Sequence, residues 1–154
     1  MLKAWAQKNG FTIVELLVSI VVIAIIAGIV IVSYSGIQKS SRDSERTSDI
    51  TLLKIALEKY QADYSTYPSV CPGGDGGECN VGYLEASLKP YLETIPHDIR
   101  YDQAPTSTND YQYARRSTAG GNNGYGLLVR YESKPTCKTG VNFPDIWWGG
   151  AASC

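Results

Sequence analysis

Glu15 is the only charged residue between Phe11 and Val32, in a run otherwise apolar enough to cross a membrane. A carboxylate costs roughly 2.5 to 3.5 kcal/mol at the centre of an inserted helix, so an unconstrained chain would carry leucine there. Other residues able to do chemistry are sparse. His97 is the single histidine, and no nucleophile elbow, phosphate loop or metal-ligand motif accompanies it. The sequence therefore reads as a non-enzyme with no cofactor. Four cysteines, Cys71, Cys79, Cys137 and Cys154, all follow the apolar run, and their even count suits an oxidising compartment. Their spacings lack the paired C-x-x-C of a zinc site. Three connectivities are open to four cysteines. Cys71 and Cys79 bracket the turn-rich "CPGGDGGEC", and Cys137 and Cys154 bracket "CKTGVNFPDIWWGGAASC", which favours two sequence-local disulfides.

Three further candidates each have a plainer reading. Arg115 and Arg116 beside Tyr111 and Tyr113 could hold DNA through phosphate contacts and stacking, although such a pair is more often a solvated strand end. Asp75 and Glu78 could bind calcium, but two acids without a ligand ladder make only a turn. Trp147 and Trp148 could form a sticky surface, and a core or loop-anchor role fits them better. Net charge is −1 with both signs interspersed, so electrostatics alone names no partner.

Few elements are available to position these residues. The 22 residues from Phe11 to Val32 span roughly 33 Å as a helix, enough for a bilayer's hydrocarbon core. Ahead of them "MLKAWAQKNG" carries Lys3, Lys8 and no acid, which keeps that end cytoplasmic and sends the remainder outward. An ordinary secretory signal has an apolar core of about 7–15 residues, and this one is longer. A cut at "SYSG", Ser33 to Gly36, is the lesser reading and leaves Glu15 unexplained.

Helical periodicity continues past Val32. Ile50, Leu53, Leu57, Tyr60 and Tyr64 recur at three- and four-residue steps, and no proline occurs before Pro68. One helix is expected from Phe11 to Tyr64, apolar all round and then amphipathic, with Gly28 and Gly36 as weak points costing about 1 kcal/mol each. It should stop at "DYSTYP", because the residue before proline avoids helical angles. A loop-rich stretch follows, with a short helix in "GYLEASLKPYL". Strands are expected in "DYQYARR" and in "GYGLLVRYE", where Tyr125, Leu127, Val129 and Tyr131 share a face. They should pair as a hairpin through "GGNN", with "IRYDQ" near Tyr101 as a third strand. The expected fold is α+β: a small antiparallel sheet packed on the amphipathic half of the long helix, closed by the C-terminal disulfide loop.

In "KNGFTIVELL" and the apolar run behind it, the sequence resembles type IV pilins and the related pseudopilins. A short basic leader ends in Gly10; Phe11, Thr12 and Glu15 follow in register. The match is detailed from Lys8 to Val32, and the architecture agrees over the rest. The resemblance implies a leader at residues 1–10, a membrane-spanning and filament-core segment at 11–32, an amphipathic helix half at 33–64 and a globular head at 65–154. It implies cleavage between Gly10 and Phe11 by a membrane-embedded prepilin peptidase and N-methylation of the new Phe11 amine. Glu15 would pair with that amine on a neighbouring subunit, so that subunits polymerise through their N-terminal helices. Loss of the leader takes two lysines and no acid, moving the net charge to −3. The segment "YLETIPHD" followed by "YQY" is similar to one in major pseudopilins, whose loops often bind calcium, and it points to Asp98 and Asp145 as possible ligands. The proline common near the end of the apolar run in one pilin branch is absent, and Val32 stands there.

The function expected from this resemblance is a structural subunit of a type IV pilus. Such a fibre serves adhesion, twitching motility or DNA uptake and is built by an inner-membrane platform and cytoplasmic ATPases. The precursor would sit in the cytoplasmic membrane and the product in an extracellular fibre. Two disulfides lean toward the pilin reading. The alternatives are a major pseudopilin of a type II secretion system, or a minor pilin acting as a binding module for DNA or a host surface.

Overall fold

The computed structural model describes residues 10–101, 108–117, 123–144 and 146–154. It contains one long helix, α1 (Ile13–Tyr64), and a short helix, α2 (Glu85–Leu88), which a 3-10 turn at Val81–Leu84 leads into. Five strands complete it: β1 (Glu78–Asn80), β2 (Gln112–Arg116), β3 (Gly124–Val129), β4 (Cys137–Val141) and β5 (Ala152–Ser153). The chain divides into two compact units, Met1–Gln38 and Lys39–Cys154.

In the first unit the described side chains of α1 are uncovered: Ile13 is 86% exposed, Leu16, Ile23 and Ile29 are exposed as well, and so is Phe11 just before the helix. Burial inside the protein therefore cannot be what favours so apolar a helix. The segment is long and apolar enough to cross a membrane. Serine is tolerated because Ser19 Oγ donates to the Leu16 carbonyl at 2.8 Å, inside the helix itself.

The second unit has an ordinary core. Ile50, Leu53, Ala56 and Leu57 face inward at helical spacing and meet Tyr113, Tyr125, Leu127 and Val129 of the sheet. Val81, Leu84, Leu88, Ile95 and Tyr111 close the edges of this core. Tyr64 is 59% exposed despite its place in the periodicity, and stacks on Tyr60 with ring centroids 4.5 Å apart. Phenol–carboxylate bonds fasten the C-terminal part of α1: Tyr111 donates to Asp49 at 2.7 Å, Tyr67 to Glu58 at 3.2 Å, and Tyr91 to Asp63.

The sheet order is β1-β2-β3-β4-β5. The expected hairpin forms, with Tyr113 opposite Leu127 and Arg115 opposite Tyr125 in antiparallel register. Of its "GGNN" turn, residues 120–122 lie outside the described residues. Two expectations need correction. The sheet is mixed rather than wholly antiparallel, because the C-terminal segment returns beside β4 in the same direction, Cys137 opposite Ala152 and Lys138 opposite Ser153. "IRYDQ" supplies no strand at Ile99, Arg100 or Tyr101, and residues 102 and 103 lie outside the described residues. Asp98 is the reason: its Oδ1 accepts from the Arg100 amide at 2.9 Å and its carbonyl from the Tyr101 amide at 2.8 Å, which bends the chain into a turn.

Every residue of β3 is buried, because both faces of the sheet are covered there. On the face away from α1, the Trp147 and Trp148 rings lie over Gly126, where a Cβ would meet Trp148 at 2.7 Å. Glycine is what lets the indole approach. Trp148 itself takes φ 53°, an uncommon angle for a bulky residue that turns its ring onto the sheet.

Candidate functional site: the helix start and the buried ion cluster

At the start of α1, Thr12 stands one residue before the helix and Glu15 three residues after Thr12. Thr12 Oγ1 accepts from the Glu15 amide at 3.2 Å. Glu15 Oε2 accepts in return from the Thr12 amide at 2.9 Å and from the Thr12 hydroxyl at 2.8 Å. This reciprocal capping box satisfies amides that the first helical turn leaves without partners, and it places negative charge at the positive end of the helix dipole. The spacing Thr-x-x-Glu is a known helix-start signal, so sequence reasoning had the means to find this arrangement and missed it. Glu15 Oε1 accepts no hydrogen bond among the described residues. Gly10 and Phe11 precede the helix and are exposed, and nothing lies within 4 Å of where a Gly10 Cβ would be. Among the described residues, nothing crowds this position.

In the head, the polar residues that come together are ones sequence reasoning did not single out, apart from Asp98. Arg46 is 1% exposed. Its Nη1 donates to Asp43 at 2.7 Å, its Nε to Asp98 at 2.6 Å, and its Nη2 to Glu132 at 2.8 Å. Arg42 binds the same Glu132 through two nitrogens, and Arg100 binds Asp98 through Nε at 3.0 Å and Nη2 at 3.2 Å. Asp43 also accepts from the Glu132 and Ser133 amides at 2.9 and 2.8 Å. Three guanidinium groups thus face three carboxylates, a balanced cluster with its hydrogen-bonding capacity well used.

Burial alone would raise the Asp98 carboxyl, but hydrogen bonds from Arg46 and Arg100 outweigh it and hold the group down at about 2. Glu132 is held at about 2, first by Arg42 and then by Arg46. At Asp43, burial is again outweighed, here by the Ser133 hydroxyl and the two backbone amides, and the carboxyl is lowered. Arg46 joins all three carboxylates, and it is the one guanidinium bonded to Asp43 among the described residues, while Asp98 and Glu132 each have a second arginine.

The remaining sequence candidates fall as follows. Both Asp98 oxygens are taken by guanidinium donors, the reverse of a cation-binding environment, and Asp145 lies outside the described residues. Among the described residues no group of three or more His, Cys, Asp or Glu is arranged to hold a metal. Arg115 turns toward Asp75 at 3.3 Å, which ties the glycine-rich loop to β2 rather than offering a free phosphate contact. Cys71 is bonded to Cys79, and Cys137 to Cys154. His97 Nδ1 lies 2.7 Å from Asp110 Oδ2, and its ring stacks on Tyr101 at 4.2 Å.

Residues 5–31 match the family described as the prokaryotic N-terminal methylation motif. The type II secretion system core protein G of Vibrio cholerae is 31% identical over 118 residues, which cover 73% of this chain and 74% of that protein. The chain belongs to the type IV pilin and pseudopilin family. Other members agree: core protein G of Klebsiella michiganensis is 35% identical over 108 residues, covering 69% of this chain and 72% of its own, and that of Aeromonas hydrophila is 33% identical over 99 residues, covering 60% and 67%. No solved structure matches the chain significantly. The long apolar helix, the five-stranded sheet and the C-terminal disulfide are the pilin-type α+β fold expected from the sequence.

Proposed function

We propose that this subunit is the major pseudopilin of a type II secretion system, a structural polymer-forming protein and not a catalyst. The observation that carries the reading is the reach of the similarity to core protein G: 118 residues cannot be accounted for by the 5–31 motif alone, so the head contributes to the match. This favours the secretion alternative over the pilus reading that the two disulfides had suggested. The fibre would then extend from the cytoplasmic membrane into the next compartment and serve export, and adhesion, twitching and DNA uptake lose their support.

In this reading a prepilin peptidase cuts the Gly10–Phe11 bond and the new Phe11 amine is methylated. That amine is a cation beside a helix N-terminus, where the dipole disfavours positive charge. Glu15 on a neighbouring subunit relieves it. Its Oε2 is already engaged by Thr12, while Oε1 has no partner among the described residues, so the carboxylate can accept the amine and keep its capping bonds. The exposed apolar side chains of the first unit exchange lipid for neighbouring helices as the subunit enters the fibre. An inner-membrane platform and its ATPases would drive that exchange.

The test is deletion in the source bacterium. Folded exoproteins should accumulate behind the outer membrane, and the subunit recovered from sheared or overproduced fibres should begin at methylated Phe11. Intact secretion with loss of surface fibres would return the chain to the pilus class.

A further inference from the structure

The two disulfides are not equivalent. Cys71 and Cys79 are each 8% exposed, whereas the second bond joins Cys137, 7% exposed, to the exposed Cys154. Cys154 directly follows β5, which has two residues, both exposed. So short a strand does not hold itself on a sheet edge. Besides its ladder to Cys137 and Lys138, it is held by the disulfide and by a bond from the Cys154 amide to the Lys138 carbonyl at 3.0 Å. β5 covers the start of the outer edge of β4, whose other edge pairs with β3. It also forms one wall of a groove of about 450 Å³, lined opposite by Thr47, Tyr131, Lys134 and Pro135. The segment that carries Trp147 and Trp148 over Gly126 ends in this same strand.

We propose that Cys137–Cys154 is a redox latch on the sheet edge, opened by an exported dithiol. A thiolate of the dithiol attacks the sulfur of Cys154, the exposed residue of the pair; the S–S bond breaks, and Cys137 leaves as a thiolate that takes up a proton. The second thiol of the dithiol then displaces Cys154, which leaves as a thiol, and the dithiol becomes a cyclic disulfide. Two electrons pass to the protein. With its tether gone, β5 leaves the edge, the groove loses a wall, and the backbone groups at the start of β4 become available for strand pairing. The buried Cys71–Cys79 bond keeps the glycine-rich loop and β1 in place through this step. The head therefore has one permanent fastener and one that responds to the thiol chemistry of its compartment.

Full-length protein in detergent micelles, titrated with dithiothreitol, tests this. Alkylation and peptide mapping should label Cys137 and Cys154 at reductant concentrations about ten-fold below those that label Cys71 and Cys79, and amide exchange of Lys138 and Cys154 should rise about ten-fold while β2 and β3 stay protected. The Cys154→Ser variant should show the open pattern without reductant. If that variant fails to fold, titration of the wild type decides. Labelling of Cys71 and Cys79 first, or unchanged protection of Lys138 and Cys154 after the bond is cut, overturns the proposal.

Discussion

Arg46 and Asp98 meet side by side across 52 positions of sequence, Nε to Oδ2 at 2.6 Å and Nη2 to Oδ1 at 3.2 Å. This two-pronged bond fixes α1 to the turn after Pro96, and Asp43 and Glu132 complete the guanidinium's surroundings. Replacing Arg46 by methionine would keep much of the bulk, leave buried Asp43 without a guanidinium and leave Asp98 and Glu132 with one each. A loss of about 3–5 kcal/mol is expected in urea unfolding of the head, the range seen when one partner of a buried pair is removed.

Acid should act on the same cluster. Asp98 has its folded pKa depressed from the ordinary 3.8 to about 2, so its contribution is complete above pH 4 and is lost as pH falls through 2. Glu132 follows the same course from 4.5 to about 2. Unfolding midpoints measured between pH 5 and 2 should fall, and Asp98→Asn should flatten the curve while lowering it throughout.

Alkali should act elsewhere. Burial and the neighbouring Glu58 raise the Tyr67 hydroxyl to about 12. A group whose folded pKa lies above its unfolded value of 10 stabilises the fold fully below pH 10 and ceases to do so as pH rises through 12. Tyrosinate absorbance and far-UV circular dichroism recorded together should show ionisation of this group coupled to unfolding, and Tyr67→Phe should remove its share of the coupling.

Gly126→Ala should dislodge the indole pair. A Cβ would stand 2.7 and 2.9 Å from two Trp148 ring atoms and 3.1 Å from Trp147, so the rings must move. The expected cost is about 1–3 kcal/mol, with a red shift in tryptophan emission as the rings gain water.

Thr12→Val removes the hydroxyl that both accepts from and donates to Glu15. About 1 kcal/mol should be lost at the helix start, with faster amide exchange at Val14 and Glu15 in micelles. Thr12→Ser should restore both.

Much of this architecture was legible in the sequence. The expected helix, residues 11–64, differs from the observed Ile13–Tyr64 by two residues at one end, because absence of proline and a strong apolar pattern leave few alternatives. The Tyr113 and Tyr125 strands were equally plain, since large side chains at alternate positions between turn residues are a strand signal. β1, β4 and β5 were not expected. "ECN" and "AS" are too short for periodicity, and in "CKTGV" the glycine hides a strand whose partners come from elsewhere. The ion cluster was illegible for a related reason: Arg42, Asp43 and Arg46 look like a solvated helix face until Asp98 and Glu132 arrive from distant segments. The capping box, by contrast, was local and readable.

The atoms that close that box all belong to Thr12 and Glu15. Among the described residues, none of these three bonds needs an atom that precedes Thr12. The proposed cut after Gly10 would alter the charge at this end and remove no atom of these bonds. In the proposed processing, cleavage would then change what the helix end attracts and not the bonds that start it.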